Sequence, residues 1–294
     1  VAGQDPCAGE EDDQPSAFDQ RLLSLLGALL AAPPHVVAFG DAMFDRGVRH
    51  WLAGRPADSV LCRTALLRRG KDVVLLNLET PLCEASLPSR DKRISLRSDR
   101  DVAQALRRAG FTHAGLANNH VLDRGREGLA QTIASLQAAG VVPVGASLSG
   151  DPCTPVLTKD RGMALLAWTD LPVDGSMVCA DLERVTGHLE RLRREGIPAL
   201  VFAHWGIEFS AQPSRRQRDV AALLAKAGAG AVVGHHPHIN QPMETVGSVP
   251  VWFSLGNFVF DQKTPGGKTG MAAILTPTGK GWTGSHCEVP ASWR

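Results

Sequence analysis

The sequence predicts a layered α/β domain built on a mostly parallel sheet. Short, near-continuous apolar runs at His35 to Phe39, Asp72 to Leu76 and Thr112 to Leu116 alternate with stretches of helical spacing. That order is the signature of parallel strands joined by crossover helices. Several of these runs end in polar side chains that can bind metal, which is where open α/β sheets place their sites. No compositional break, charge run or period of 20 to 50 residues divides the 294 residues. One domain is therefore expected over residues 17–294, behind a flexible acidic arm at residues 1–16 that has too little apolar surface to order itself.

Taken in order, Phe18 to Ala31 has helical spacing and His35 to Phe39 reads as the first core strand, delivering Gly40-Asp41. Asp45, four residues on, either joins Asp41 or faces solvent, the commoner outcome. Asp58 to Arg69 is helical in pattern, and Asp72 to Leu76 is a strand running into Asn77-Leu78-Glu79-Thr80. Pro81 to Leu96, rich in turn formers and charge, has the length of a rim loop over a site. Asp101 to Ala109 is a helix, and Thr112 to Leu116 a strand delivering Asn118-Asn119-His120. Gly125 to Ala139 is an amphipathic helix stopped by Gly140, and Val141 to Val144 a fourth strand. Val156 to Leu157 and Met163 to Trp168 suit a hairpin around Asp160-Arg161-Gly162. Helices at Asp181 to Glu195 and Arg216 to Ala227 alternate with strands at Pro198 to Ala203 and Ala229 to Val233. Val249 to Leu255 and Met271 to Leu275 close the list of expected strands.

A formal net charge of +1, with 44% apolar and 21% charged residues, describes an ordinary globular chain with no field for gathering nucleic acid or an anionic membrane. The apolar run Leu22 to Ala32 is too short for the ~20 residues a span needs and stops at Pro33-Pro34. No integral membrane span and a cytoplasmic location are expected, with an exported form if a leader was removed. The six cysteines form no Cys-x-x-Cys pair, so reduced thiols are expected, with a disulfide or two if the protein is exported.

The chemistry collects at the expected strand ends. Gly234-His235-His236-Pro237-His238 places three imidazoles in four residues, and His204 ends another run in the same way. With Asp41, Glu79, Asn119 and His120 they make too many ligands for one tetrahedral zinc. They suit two adjacent borderline metals sharing a carboxylate. Such a pair lowers the pKa of a bridging water and clamps an in-line displacement, which implies hydrolysis of a phosphate ester or a carboxamide. No Gly-x-Ser-x-Gly elbow, Walker loop or dinucleotide fingerprint competes.

Several residues beside this set keep two readings. Asp123 either orients His120 or caps the helix near Gly125. Glu208 and Gln217 either bond metal ligands or sit at a helix start, and Asn257 is either a supporting amide or a turn residue. Trp205 reads as core packing, and His235 as a residue behind the ligands rather than one of them.

Gly40-Asp41, Asn77-Leu78-Glu79-Thr80-Pro81, Leu116-Ala117-Asn118-Asn119-His120 with Asp123 and Gly125, His204-Trp205-Gly206-Ile207-Glu208, Gly234 to His238, and Ser254-Leu255-Gly256-Asn257-Phe258-Val259-Phe260 together resemble the successive motifs of the CapA (PgsA) poly-γ-glutamate capsule-synthesis family. That family lies in the calcineurin-like metallophosphoesterase superfamily. The resemblance implies a four-layer α/β/β/α sandwich holding two divalent metal ions, manganese or iron before zinc. It implies Glu79 as the bridging carboxylate, Asp41 and His238 on the first metal, Asn119, His204 and His236 on the second, and His120 as the phosphate-facing acid or charge stabiliser. Asn118, Asp123, Glu208, His235 and Asn257 would support the ligands or touch substrate. The usual motif has a histidine two residues after its aspartate, where this sequence has Met43, so the first metal is expected to be held less firmly. The implied activity is metal-dependent hydrolysis of a phosphoester or a γ-glutamyl or other amide bond in a small-molecule, peptide or polyglutamate-like substrate. A non-catalytic scaffold for an anionic polymer is the alternative.

Overall fold

The computed structural model describes residues 36–61, 73–90, 93–158, 162–278 and 281–291. The expected amino-terminal arm, the helix from Phe18 to Ala31 and most of the helix from Asp58 to Arg69 lie outside these residues. The described chain opens with β1 (Val36–Ala42), α1 (Arg46–Leu52), β2 (Val73–Leu78), α2 (Val102–Arg108), β3 (His113–Gly115), α3 (Gly125–Ala139) and β4 (Val142–Val144). It continues through β5 (Val156–Thr158), β6 (Met163–Thr169), α4 (Leu182–Arg194), β7 (Ala199–His204), α5 (Arg215–Ala227) and β8 (Ala231–His235). It ends with β9 (Asn240–Val246), β10 (Val249–Leu255), β11 (Asn257–Val259), β12 (Thr269–Thr278) and β13 (Gly281–Pro290).

These strands form two sheets rather than one. The first has the order β13-β12-β1-β2-β3-β4, parallel from β1 to β4, with β11 also parallel to β1 and with β12 and β13 antiparallel at one side. The second has the order β5-β6-β7-β8-β10-β9, with four parallel inner strands and antiparallel strands at both edges. Strands β1, β2, β6, β7, β8 and β10 are buried along their whole length. That explains their continuous apolar runs, because a strand covered on both faces has no reason to alternate.

The elements the sequence hides are those with one wet face. Strand β13, past the strand expected to be last, carries glycines and leaves most of its residues exposed. The edge strand β9 is polar and contains Pro242, and α1 buries only Val48. The helices follow the local rules. In α5, Val220, Ala221, Leu224 and Ala227 form the buried stripe, Ser214 and Gln217 make a capping box, and Gly228 ends the helix at φ +115°.

Two close approaches aim the strand ends. A Cβ at Gly40 would lie 2.0 Å from the carbonyl oxygen of Gly256. Only glycine lets the β10–β11 turn close on β1, where the Asp41 amide donates to that oxygen at 2.9 Å. Across the sheets, β1 packs against β8 and β10. The imidazole of His235 meets the carbonyl of Phe39 at 3.2 Å.

Cys153 and Cys179 form a disulfide, contrary to the expected reduced thiols. They are 26 residues apart, but the Cys179 amide donates to Gly145 and Ala146 pairs with Val178, which folds the irregular middle back on itself. Spacing along the chain carries no trace of that return. Cys83 and Cys287 are free. Among the described residues, no helix is long and apolar enough to cross a membrane.

Candidate metal centre

Asp41 lies near the end of β1, Glu79 just past β2, and Asn118, Asn119 and His120 in the turns after β3. His204 ends β7, and His236 and His238 follow β8. The carboxylates and amides therefore come from one sheet and the histidines, apart from His120, from the other. Ligand atoms of Asp41, Glu79 and His204 lie within 4.8 Å of one another, and so do those of Glu79, His236 and His238. Glu79 belongs to both groups. Its Oε1 is 3.7 Å from His204 Nε2 and 3.7 Å from His238 Nε2. The pairs that the family pattern implies are also neighbours: His238 Nδ1 is 3.3 Å from Asp41 Oδ2, and the rings of His204 and His236 are 4.9 Å apart.

The donor set fits divalent cations on a direct observation. Glu79 is wholly buried and neither carboxylate oxygen has a hydrogen-bond partner, and Nδ1 of His236 is likewise buried and unpartnered. Buried polar groups rarely forgo partners without a ligand or a strain to explain it. Strain is also present. His236 at φ +95° and His238 at φ +59° both occupy left-handed backbone, flanking Pro237.

A hydrogen-bonded frame holds these atoms. The Asn77 amide nitrogen donates to Asp41 Oδ1 at 2.8 Å and sits 3.1 Å from Nδ1 of His204. Asn118 donates to the oxygen of Asn77 and to the Leu78 carbonyl, while its own oxygen accepts from the His120 and Val121 amides. Asn119 Oδ1 lies 2.9 Å from His204 Nε2. His238 Nδ1 lies 3.0 Å from Asn257 Oδ1 and 3.3 Å from Asp41 Oδ2. The Asn257 amide nitrogen donates to Gln262 and to the Gly267 carbonyl, which fixes its oxygen toward His238.

The electrostatics follow from burial among like and unlike charges. Burial pushes the Glu79 carboxyl well above its ordinary range. A bound cation would reverse that preference. Burial acts to raise Asp41 too, but its hydrogen bond to His238 and the charge on that ring win, holding it well below the usual carboxylate range. Burial, then His236, drives His204 well down, and burial with His238 lowers His236 to about 4. Burial also acts to lower His238, but Glu79 and Asp41 outweigh it and raise that ring to about 9.

The residues around the ligands fall among the places expected for them, apart from Asp45. Asp123 Oδ2 is 2.7 Å from His120 Nδ1 and also accepts the Leu96 amide, so it orients His120, and the cap of α3 is Arg124 with no side-chain bond. Gln217 serves the capping box of α5 and donates to Gln241. Asp45 is buried, not solvated. It accepts the Arg97 amide at 2.7 Å and pairs with Arg49, which pins the far end of the rim loop. Met43 is buried with its sulfur accepting the Asp45 amide. Trp205 is buried and donates to the Phe253 carbonyl. His235 lies against Phe202 and the Phe39 carbonyl. Asn77, given no role from sequence, touches two ligands. Its place two residues before Glu79 on a strand, on the same face of the sheet, was the available signal.

Over this cluster opens a cavity of about 610 Å³. Asn119, His120 and His238 lie on its wall toward the cluster, with Arg46, Arg93, Ile94, Leu96, Glu208, Phe209, Phe260 and Gln262 around them. The rim loop thus supplies Arg93, Ile94 and Leu96.

Fold and site together define a mixed α/β protein whose two sheets present clustered histidines and carboxylates beneath an open cavity. Residues 35–262 match the sequence profile of the family described as bacterial capsule synthesis protein PGA_cap. The chain belongs to that family, as the motif resemblance implied. It is similar to the PGA biosynthesis protein CapA of Bacillus subtilis (strain 168), 32% identical over 236 residues, covering 76% of this chain and 62% of that protein. It is similar to the capsule biosynthesis protein CapA of Bacillus anthracis, 30% identical over 241 residues, covering 76% and 59%. A probable polyglutamine synthesis accessory protein of Mycobacterium tuberculosis (strain ATCC 25618 / H37Rv) is 29% identical over 229 residues, covering 67% and 57%. The chain spans about six tenths of the length of these relatives.

Proposed function

We propose that the protein is a hydrolase using two divalent metal ions, manganese or iron before zinc, on a phosphoester or an amide bond, in capsule or poly-γ-glutamate metabolism. The observation that carries this is Glu79, a buried carboxylate without hydrogen-bond partners that is shared by two clusters of ligand atoms. The two facing sheets with their helices support a four-layer sandwich of the metallophosphoesterase type. When bound, the metal pair supplies Lewis-acid charge and an activated water. The chain's own residues supply the rest. Asn77 and Asn257 hold Asp41, His204 and His238 in place. Asp123 accepts from Nδ1–H of His120, leaving Nε2 as the nitrogen that can give a proton to the leaving group at the cavity wall.

A scaffold role is the second reading, favoured by the name of the mycobacterial relative, a probable accessory protein. Turnover separates the two. Replacing His120 by asparagine is expected to lower turnover roughly 10² to 10⁴-fold with metal content unchanged. His236→Ala is expected to lose metal as well as activity. Metal analysis beside a panel of phosphomonoesters, phosphodiesters and γ-glutamyl peptides tests this. Absence of metal-dependent turnover across the panel, with polyglutamate bound tightly, would establish the scaffold.

A further inference from the structure

The walls of the cavity carry two side chains of opposite charge, Arg93 and Glu208. Arg46, the other arginine there, is neutralised by an ion pair with Asp261. Among the described residues, neither Arg93 nor Glu208 has a hydrogen bond or salt bridge, and both are exposed on the cavity lining. Glu208 is not on a loose loop. It sits in a turn closed by the Ser210 amide donating to Ile207, followed by Phe209 at φ +61°. The Phe209 amide donates to Pro237 at 2.8 Å, which ties the turn to the His-Pro-His segment. Behind it, the buried side chain of Gln241 donates to the Ser210 carbonyl at 2.8 Å and accepts from buried Gln217. This much fixed structure around an exposed carboxylate points to a purpose beyond solubility.

We propose that Glu208 and Arg93 are specificity residues that read the two ends of one zwitterionic ligand, an ammonium against Glu208 and a carboxylate against Arg93. The ligand class is a small peptide or amino-acid derivative. Its body packs on Phe209, Phe260 and Ile94, which line the same cavity. An arginine grips a carboxylate through two parallel N–H groups, and a carboxylate beside the centre repels a phosphate dianion. The assignment deepens the hydrolase reading by choosing the amide over the phosphoester, and rests on it only for which bond is cut.

Binding is measured by calorimetry on the full chain with manganese, first with a set of free dipeptides. The best binder is then compared with its N-acetyl, C-amide and doubly blocked forms. In the wild type each block is expected to cost about tenfold, the scale of one charge-assisted contact. Glu208→Gln is expected to abolish the penalty of N-acetylation alone, and Arg93→Gln that of amidation alone. The surface position of both residues should leave melting temperatures unchanged. Blocks that cost nothing in the wild type, variants that weaken all four forms alike, or no dipeptide binding would each overturn the assignment. If the crossed pattern appears without cleavage, the charge-reading role stands and the hydrolase reading falls.

Discussion

Replacing Glu79 by glutamine is expected to stabilise the metal-free protein while removing its response to metal. In the wild type a fully buried carboxylate has two oxygens without donors. A buried polar group left unsatisfied costs about 1–3 kcal/mol, and a neutral amide sheds the charged part of that cost. For chains of this size 1 kcal/mol moves Tm by roughly 2–4 °C, so a gain of about 2 kcal/mol gives ~4–8 °C. Sign and pH window follow from the raised pKa of Glu79. The folded metal-free protein holds this proton more tightly than the unfolded chain, so stability falls as pH rises above the ordinary carboxyl value of 4.5. Glu79→Gln flattens that slope. Metal at a hundredfold excess over its Kd adds about 2.7 kcal/mol to the wild type for each site filled. Differential scanning fluorimetry of chelated protein, with and without manganese, reads both effects. A Glu79→Gln protein that gains as much from metal as the wild type, or that melts lower than the chelated wild type, would refute the reasoning.

Three further outcomes are expected. Burial lowers His113 to about 4, so the folded protein resists a proton that the unfolded chain accepts, and stability declines as pH falls from 6.5 toward 4. His113→Asn should shrink that acid limb in a urea titration repeated across pH, and an unchanged limb would exclude His113 as its source. Reducing the Cys153–Cys179 bridge, which closes 26 residues, is expected to cost about 3–4 kcal/mol, read as a lower urea midpoint in the Cys153→Ser/Cys179→Ser variant. An unchanged midpoint would contradict it. Gly40→Ala, whose Cβ would fall 2.0 Å from the Gly256 oxygen, is expected to lose about 3 kcal/mol or more and to weaken metal uptake by moving Asp41. Wild-type stability in that variant would show that the β10–β11 turn yields freely.

The strand runs were readable because buried parallel strands need unbroken apolar sequence, and the helix from Gly125 to Ala139 was found residue for residue. Strand β13 was not readable, since its pairing with β12 shows in backbone register rather than in side-chain pattern. The same divide runs through the site. Asp41, Glu79, His204, His236 and His238 sit at strand ends where ligand chemistry is visible in single residues. The meeting of Glu79 with His204 and His238, and the contact of Asn77 with His204, depend on how one sheet faces the other. Asp45 was read as solvated because a lone carboxylate four residues after Asp41 gives no hint that Arg97, 52 positions away, will cover it.

The two carboxylates belong to one sheet and the three clustered histidines to the other, so cations held between them would act as rivets through the middle of the sandwich. Their removal would then be felt far from the cavity. Amide exchange in β1 and β8, remote in sequence and joined across the interface at His235 and Phe39, should quicken together on chelation.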